Sequence, residues 1–292
     1  MGLASSVLAL ALPLSGGEGE AHPSNCHLVP WGDADECGFP APTADIFQFD
    51  PYTTISLFGI TFEINKPVVL AVLGSAFLIG FFVLAFRNAK VVPGKLQLVG
   101  EYGYTFVRDG IAKETIGKDG ERYVPFLFTM FFFVWMMNIW GIIPFAQFPV
   151  SSRLAWPAAL TLLVWPLYMF LGMKHQGAWG FYRNMMFPPG LPKPIYVLLA
   201  PIELISNVFV RPFTLTVRLF ANMFAGHLLI TIFAVATFYL LSPSIIGLLG
   251  SAASFVVSII LTAFEMFIQA LQAYIFTLLT AVYIAGSLHA EH

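Results

Sequence analysis

Five ionisable residues lie inside long apolar stretches toward the end of the chain: Glu203, Arg211, Arg218, His227 and Glu265. A charged side chain at the centre of a bilayer costs about 2.5–3.5 kcal/mol even on the lenient insertion scale. Such residues normally face a protein interior or a water-filled cavity, where they mark ion paths and proton relays. The alternative is that a buried Arg–Glu pair only fixes helix packing, but the whole set is more than packing needs.

Helical geometry sorts the polar residues of these stretches onto faces, at about 100° per residue. One stripe consists of Asn207, Arg211, Thr214, Arg218 and Asn222, and the second of Ser258, Glu265, Gln269 and Gln272. His227 points away from the face of Arg218. Two polar stripes on antiparallel helices predict a hydrated lining between the helices.

The depth of each group follows from the expected path of the chain. Glu203 is predicted nearer the cytoplasm, Arg218 near the middle, and His227 with Glu265 toward the outside. Imidazole and carboxylate groups can relay protons, whereas a guanidinium remains protonated and repels them. The order predicts two half-channels separated by a fixed positive charge.

The composition of the chain limits its class. Of the 292 residues, 58% are hydrophobic and 10% are charged, against about 25% charged in soluble domains. So few charges exclude a soluble globular enzyme, and a net charge of −2 without a dense basic patch excludes a nucleic-acid partner. The predicted fold is an all-α polytopic membrane protein with about five membrane helices.

Uncharged runs predict where the chain crosses the bilayer. The shorter spans are expected at about 67–86, 124–148 and 155–173, with an amphipathic surface segment at 95–122. The runs at about 194–241 and 245–288 would be roughly 67 Å long as helices, in a hydrocarbon core of about 30 Å. Either each folds into two spans, or each is one strongly tilted helix. No polar turn interrupts 213–241 or 252–288, which favours an antiparallel hairpin of two long helices.

The basic residues predict the orientation of the membrane domain, which is taken as 66–292. Ten of the 14 fall on one side of the predicted spans: Arg87, Lys90, Lys95, Arg108, Lys113, Lys118, Arg122, Lys174, Arg183 and Lys193. That side is expected to be cytoplasmic, with the C-terminus there. The acidic segment 1–65 has no Lys or Arg and is expected outside. The absence of a transit-peptide pattern favours a bacterial plasma membrane, with the mitochondrial inner membrane as the alternative.

Two cysteines, Cys26 and Cys37, lie in the acidic N-terminal segment. They are a possible disulfide if that side of the membrane is oxidising, and two unpaired thiols otherwise. The histidines are scattered and the cysteines have no ligand cluster, so the sequence predicts no metal site and no cofactor.

Four motifs together resemble subunit a of F-type ATP synthases, over about residues 60–290. They are Arg218-Leu-Phe-Ala-Asn-Met-Phe-Ala-Gly-His227, Glu265-Met-Phe-Ile-Gln-Ala-Leu-Gln272, Asn138-Ile-Trp-Gly-Ile-Ile-Pro144 and Pro201-Ile-Glu203-Leu-Ile-Ser. The resemblance implies a stator subunit beside a rotating ring of c subunits. It also implies b subunits of a peripheral stalk and the remaining synthase subunits as partners, in a lipid bilayer. No G-x-x-x-x-G-K-[ST] motif is present, so the expected role is non-catalytic.

The resemblance also implies roles for single residues. Arg218 would face the ring carboxylate and keep the two half-channels apart. Glu203 would line the inner channel, and His227 with Glu265 would form a coupled pair in the outer one. The remaining positions expected along the proton path are Asn138, Asn222, Gln269 and Gln272.

Two features depart from the family pattern. Ala221 stands where many members carry Gly, and Arg211 matches no role, so it is expected to pair with Glu203 or with the ring. A stand-alone ion channel or secondary transporter is the alternative function, although it would need its own gate or an internal repeat, and no repeat is visible. A membrane scaffold is a third possibility.

Overall fold

The computed structural model describes residues 42–47, 49–57, 60–187, 193–241 and 244–288. Within these ranges, five helices are long and apolar enough to cross a membrane, which confirms the predicted all-α polytopic fold. Cys26 and Cys37 lie outside the described residues, and so does most of the acidic N-terminal segment.

A short β-hairpin precedes the membrane helices, which the sequence reading did not predict. After a 3-10 turn at Ala44–Phe47, strands β1 (Thr53–Leu57) and β2 (Ile60–Ile64) pair antiparallel. Both strands are rich in Thr and Ile, which favour the pleated conformation. Helix α1 (Lys66–Phe86) follows at once, because the Asn65 side chain accepts the Val68 N–H and caps the helix.

The second membrane helix is part of one long helical run. It consists of α2 (Lys95–Val107), a π-helical turn (Arg108–Lys113), α3 (Glu114–Ile116), a 3-10 segment (Gly117–Tyr123) and α4 (Val124–Ile139). The predicted surface segment 95–122 is therefore continuous with the span. The predicted end at 148 was wrong, because the chain turns after Ile139, where the Gly141 N–H returns to the Asn138 carbonyl at 3.0 Å. Pro144 and Pro149 lack the N–H groups that a continuing helix needs.

The third span agrees closely with the prediction. A 3-10 turn (Val150–Ser152) leads into α5 (Ala155–Gln176), and α6 (Ala178–Met186) follows after Gly177. Helix α6 ends before the run of prolines that begins at Pro188.

The last two runs form the predicted helical hairpin. The first consists of α7 (Lys193–Ile205), a π-helical segment (Ser206–Val210) and α8 (Arg211–Tyr239), and the second is α9 (Ile245–Leu288). The 44 residues of α9 extend for about 66 Å. Pro212 has no N–H for the Val208 carbonyl, which accounts for the wider π turn before it.

The main core lies where the two long helices pack on α4 and α5. Leu215, Leu219 and Met223 of α8 and Phe276 of α9 are fully or almost fully buried there. This packing fixes the rotation of α8, because three residues on one face enter the core. The opposite face of α8 is left exposed.

Candidate functional site

Arg218 lies on the exposed face of α8, opposite Leu215, Leu219 and Met223. The other exposed residues of α8 are uncharged: Phe213, Thr214, Ala221, Asn222, Ala225, Leu229 and Phe238. Within the described residues, no carboxylate forms an ion pair with Arg218; the ion pairs join Asp109 and Glu121 to Arg108 and Lys113. Arg218 is therefore an exposed guanidinium without an ion pair in the described residues, and the other exposed residues of its helix are uncharged.

Asn222 lies one turn beyond Arg218 and connects the exposed face to the interior. Its Nδ2 donates to Gln272 Oε1 of α9 at 2.8 Å. Gln272 is only 2% exposed, and its Nε2 has no partner among the described residues. This hydrogen bond joins the two polar stripes predicted from the sequence.

A buried polar row runs along α9 from Gln272. Gln269 Nε2 donates to Glu265 Oε1 at 3.3 Å, and Asn138 Nδ2 of α4 donates to the Gln269 backbone carbonyl at 3.4 Å. Gln269 and Asn138 are fully buried, and Glu265 is nearly so. The structure thus brings together four predicted site residues, one of them from a distant part of the chain.

His227 lies beside this row and among aromatic rings. The carboxyl group of Glu265 packs on Gly226, where an added Cβ would lie 3.5 Å from Glu265 Oε1. The imidazole centroid is 5.9 Å from the Phe47 ring and 6.5 Å from the Phe148 ring. No hydrogen bond joins His227 directly to Glu265 in the described structure, so the predicted coupled pair consists of neighbours that do not touch through polar atoms.

Five buried polar atoms of the site have no hydrogen-bond partner within the described residues: Asn138 Oδ1, His227 Nδ1, Glu265 Oε2, Gln269 Oε1 and Gln272 Nε2. A buried donor or acceptor left unsatisfied costs about 1–3 kcal/mol. Buried water typically makes about three hydrogen bonds to such groups. The concentration of unpaired atoms along one row therefore favours a hydrated path.

A second polar cluster lies at the start of the first long run. Asn207 Nδ2 donates to the Glu203 backbone carbonyl at 2.8 Å and to Glu203 Oε2 at 3.2 Å. The hydroxyl of Tyr168 on α5 donates to the Asn207 carbonyl at 2.9 Å. The predicted stripe is broken here, because Asn207 is buried whereas Thr214, Arg218 and Asn222 are exposed. The π-helical segment between them changes the rotation per residue.

Arg211 lies against an aromatic ring and not against Glu203, and its expected pairing with the ring of c subunits stays a prediction. Its guanidinium carbon lies 5.3 Å from the centre of the Tyr283 ring of α9. In the described part of the chain it forms no ion pair with Glu203, whose carboxylate is bonded to Asn207. The Tyr283 ring in turn lies 5.4 Å from that of Tyr168. The rings of Tyr283 and Tyr168 therefore connect Arg211 to the polar cluster that contains Glu203.

Sequence reasoning missed Tyr168, Tyr283 and Phe47. The two tyrosines carry hydroxyl groups in apolar spans, which is a weak signal for a polar site. Nothing in the sequence pattern connects Phe47 to His227, because the two residues are separated by 180 positions and three membrane helices.

Comparison with known proteins decides the family. The model of the family described as ATP synthase A chain matches residues 68–285. The chain belongs to this family. ATP synthase subunit a of Streptomyces lividans is 49% identical over 273 residues, covering 93% of this chain and 94% of the relative. The corresponding protein of Frankia alni is 44% identical and covers 89% of each chain, and that of a Nocardioides strain is 41% identical.

Family membership agrees with the resemblance noted in the sequence. The chain is a multi-helix membrane protein of ATP synthesis and proton transport, and these relatives are bacterial. The matched range contains every site residue from Asn138 to Tyr283. Phe47 precedes it.

Proposed function

We propose that this chain conducts protons through two half-channels to the carboxylates of a rotating c-ring, and that Arg218 keeps the half-channels apart. The observation that carries the proposal is the place of Arg218, alone on an uncharged exposed face where a buried polar row ends. A charge at membrane depth is costly unless a partner of opposite sign faces it. A carboxylate on a neighbouring ring supplies that partner.

The outer half-channel is the row from His227 through Glu265, Gln269 and Gln272 to Asn222. Its five unpaired polar atoms accommodate bound water, and its imidazole and carboxyl groups exchange protons. The Asn222–Gln272 hydrogen bond holds the inner end of the row beside Arg218. Asn138 supports the row from α4.

The inner half-channel passes Glu203. This carboxylate lies on α7, about four helical turns before Arg218, and on the side where the basic loops are expected. The Asn207 side chain donates a hydrogen bond to it, and the Tyr168 hydroxyl donates in turn to the Asn207 backbone carbonyl. Arg211 adds a second positive charge at this end of α8.

The basic residues orient the protein with its N-terminus outside and its C-terminus in the cytoplasm of a bacterial cell. In the assembly, the exposed face of α8 meets the c-ring, and the b subunits and remaining synthase subunits complete the stator. ATP synthesis itself takes place in partner subunits.

The test is ATP-driven proton pumping by inverted membrane vesicles that contain the complete complex. Arg218→Ala is expected to abolish pumping while the other subunits still copurify, because no other charge separates the half-channels. Arg218→Lys keeps the charge and tests whether the guanidinium itself is needed. Thr214→Ala is the matched control, since Thr214 is exposed one turn away and bonds only to its own helix backbone.

Two outcomes would overturn the proposal. Normal coupling in Arg218→Ala would favour a scaffold role. Proton conduction by the purified chain alone in liposomes would favour the stand-alone channel, because the proposed path is incomplete without ring carboxylates.

A further inference from the structure

A segment that precedes the β-hairpin covers the outer end of the His227 site. In this pre-hairpin segment (42–50, described except for residue 48), Phe47 is only 5% exposed although it lies outside the membrane helices. Its ring packs on Phe224 with centroids 4.4 Å apart and lies 6.0 Å from that of Phe148. Phe47, Phe148 and Phe224 form an aromatic cluster around the imidazole.

The imidazole is held on two sides by this cluster. The Phe47 and Phe148 rings meet it edge-on, at 70° and 82° between planes. Within the described residues, the buried Nδ1 of His227 has no hydrogen-bond partner. The two edge-on ring contacts therefore restrict the orientation of the imidazole.

A cavity of about 660 Å³ lies on the other side of the aromatic cluster. Phe47 and Phe224 line it, and so do Asn65 and Arg153, whereas His227 does not. Because Phe47 contacts the imidazole and also lines this cavity, we describe the tilted pair of Phe47 and Phe224 as the wall between them.

We propose that Phe47 is a positioning residue of the proton path, which narrows the entrance from this cavity and holds the His227 ring for proton transfer. The Phe47 ring limits the access of water to the imidazole from the side of this cavity. The inference rests on the proposed function, since it assigns Phe47 to the outer half-channel. It extends that half-channel beyond the residues matched by the family model, which begin at residue 68.

The first experiment measures access to position 227 directly. In complexes with Cys26→Ser, Cys37→Ser and His227→Cys, a membrane-impermeant thiol reagent is applied from the N-terminal side. Adding Phe47→Ala is expected to raise the rate of alkylation several-fold, because the wall is opened. Phe47→Leu keeps an apolar side chain there and is expected to restore slow alkylation.

Phe49→Ala is the matched control. Phe49 belongs to the same segment and packs edge-on to Phe148 at 4.8 Å, and its ring lies beneath the Lys66 ammonium at 5.4 Å. Its ring does not contact His227, so alkylation in this variant is expected to stay slow. If Phe49→Ala accelerates alkylation as much as Phe47→Ala, general detachment of the segment explains the result, and the positioning role is wrong.

The second experiment keeps His227 and measures the pH profile of ATP-driven pumping. The charged groups facing the imidazole are Glu265 from α9, packed on Gly226, and Lys66 at the start of α1. Phe47→Ala leaves both in place but frees the ring, so it is expected to shift the pH of half-maximal rate. Phe47→Leu, which keeps an apolar side chain against the imidazole, is expected to keep the native profile.

The outcomes separate this inference from the proposed function. Unchanged alkylation and an unchanged pH profile in Phe47→Ala would refute the role of Phe47, even with Arg218 essential. Normal coupling in Arg218→Ala would refute the proposed function, while faster alkylation would still show that Phe47 closes the cavity wall.

Discussion

The hydrogen bond between Asn222 and Gln272 allows a quantitative test of the buried row. Asn222→Ala leaves Gln272, already without a partner at Nε2, unpaired at Oε1 as well. An unsatisfied buried group costs about 1–3 kcal/mol. Gln272→Leu removes the buried amide and leaves the exposed Asn222 free to turn toward other groups. We therefore expect Asn222→Ala to be the more harmful of the two single substitutions.

The magnitude follows from measured interhelical hydrogen bonds in membranes. Their coupling energies average about 0.6 kcal/mol and reach about 1.7 kcal/mol. These values correspond to factors of about 3 and about 18 in a rate. Because Asn222 is exposed, we expect a coupling energy close to this average and well below the maximum. The corresponding factor in the pumping rate is about threefold.

The assay is a double-mutant cycle on the initial rate of ATP-driven proton pumping, normalised to assembled complex. Asn222→Ala, Gln272→Leu and the double variant are compared with the native complex. The double variant is expected to be about threefold faster than the product of the two single effects predicts, because the second substitution removes a group that has already lost its partner.

A control cycle pairs Asn222→Ala with Thr277→Ala. Thr277 is buried on α9, but its hydroxyl bonds only to the Ala273 carbonyl of its own helix. The effects of Asn222→Ala and Thr277→Ala on the pumping rate are expected to multiply. Coupling below about 0.5 kcal/mol in the Asn222–Gln272 cycle, the scatter of independent sites, would refute the idea that this hydrogen bond organises the path.

Two further predictions concern packing and the inner cluster. A Cβ on Gly172 would overlap the Phe181 ring, whereas one on Gly80 meets nothing within 4 Å; Gly172→Ala is expected to destabilise the fold by about 1–3 kcal/mol. The amount of assembled complex should fall in Gly172→Ala and recover when Phe181→Leu is added. An equal fall in Gly80→Ala would contradict this explanation. At the inner end, Tyr283→Leu removes the ring beneath Arg211 and is expected to slow pumping about two- to thirty-fold, the range of a cation–π contact. Tyr283→Phe keeps the ring and should pump normally, so equal rates in the two variants would refute a role for this contact.

Much of the membrane architecture was predictable because it depends on local properties of the chain. The helix bounds of α1, α5 and α9 followed from apolar runs, and the length of the last two runs indicated a hairpin. The charges inside those runs stood out for the same reason. Periodicity also placed Arg218 and Asn222 on one face of a helix.

The local features that the sequence reading missed arise from single backbone groups. The Pro212 ring widens the preceding helix and turns Asn207 inward, so an even rotation of 100° per residue fails there. The end of α4 at Ile139 similarly depends on prolines that follow it. The end of this helix could not be located from composition, because the apolar stretch continues to residue 148.

The sequence by itself determined that a few ionisable and polar groups lie in apolar helices, and on which face of each helix they lie. Only the tertiary structure decided which groups meet. Asn138 reaches Gln269 across 131 residues, Arg211 lies over Tyr283 and not against Glu203, and Phe47 packs beside His227. The physical reason is that periodicity defines a direction around one helix axis, whereas partners depend on how several helices rotate and slide to bury Leu215, Leu219 and Met223 in a common core.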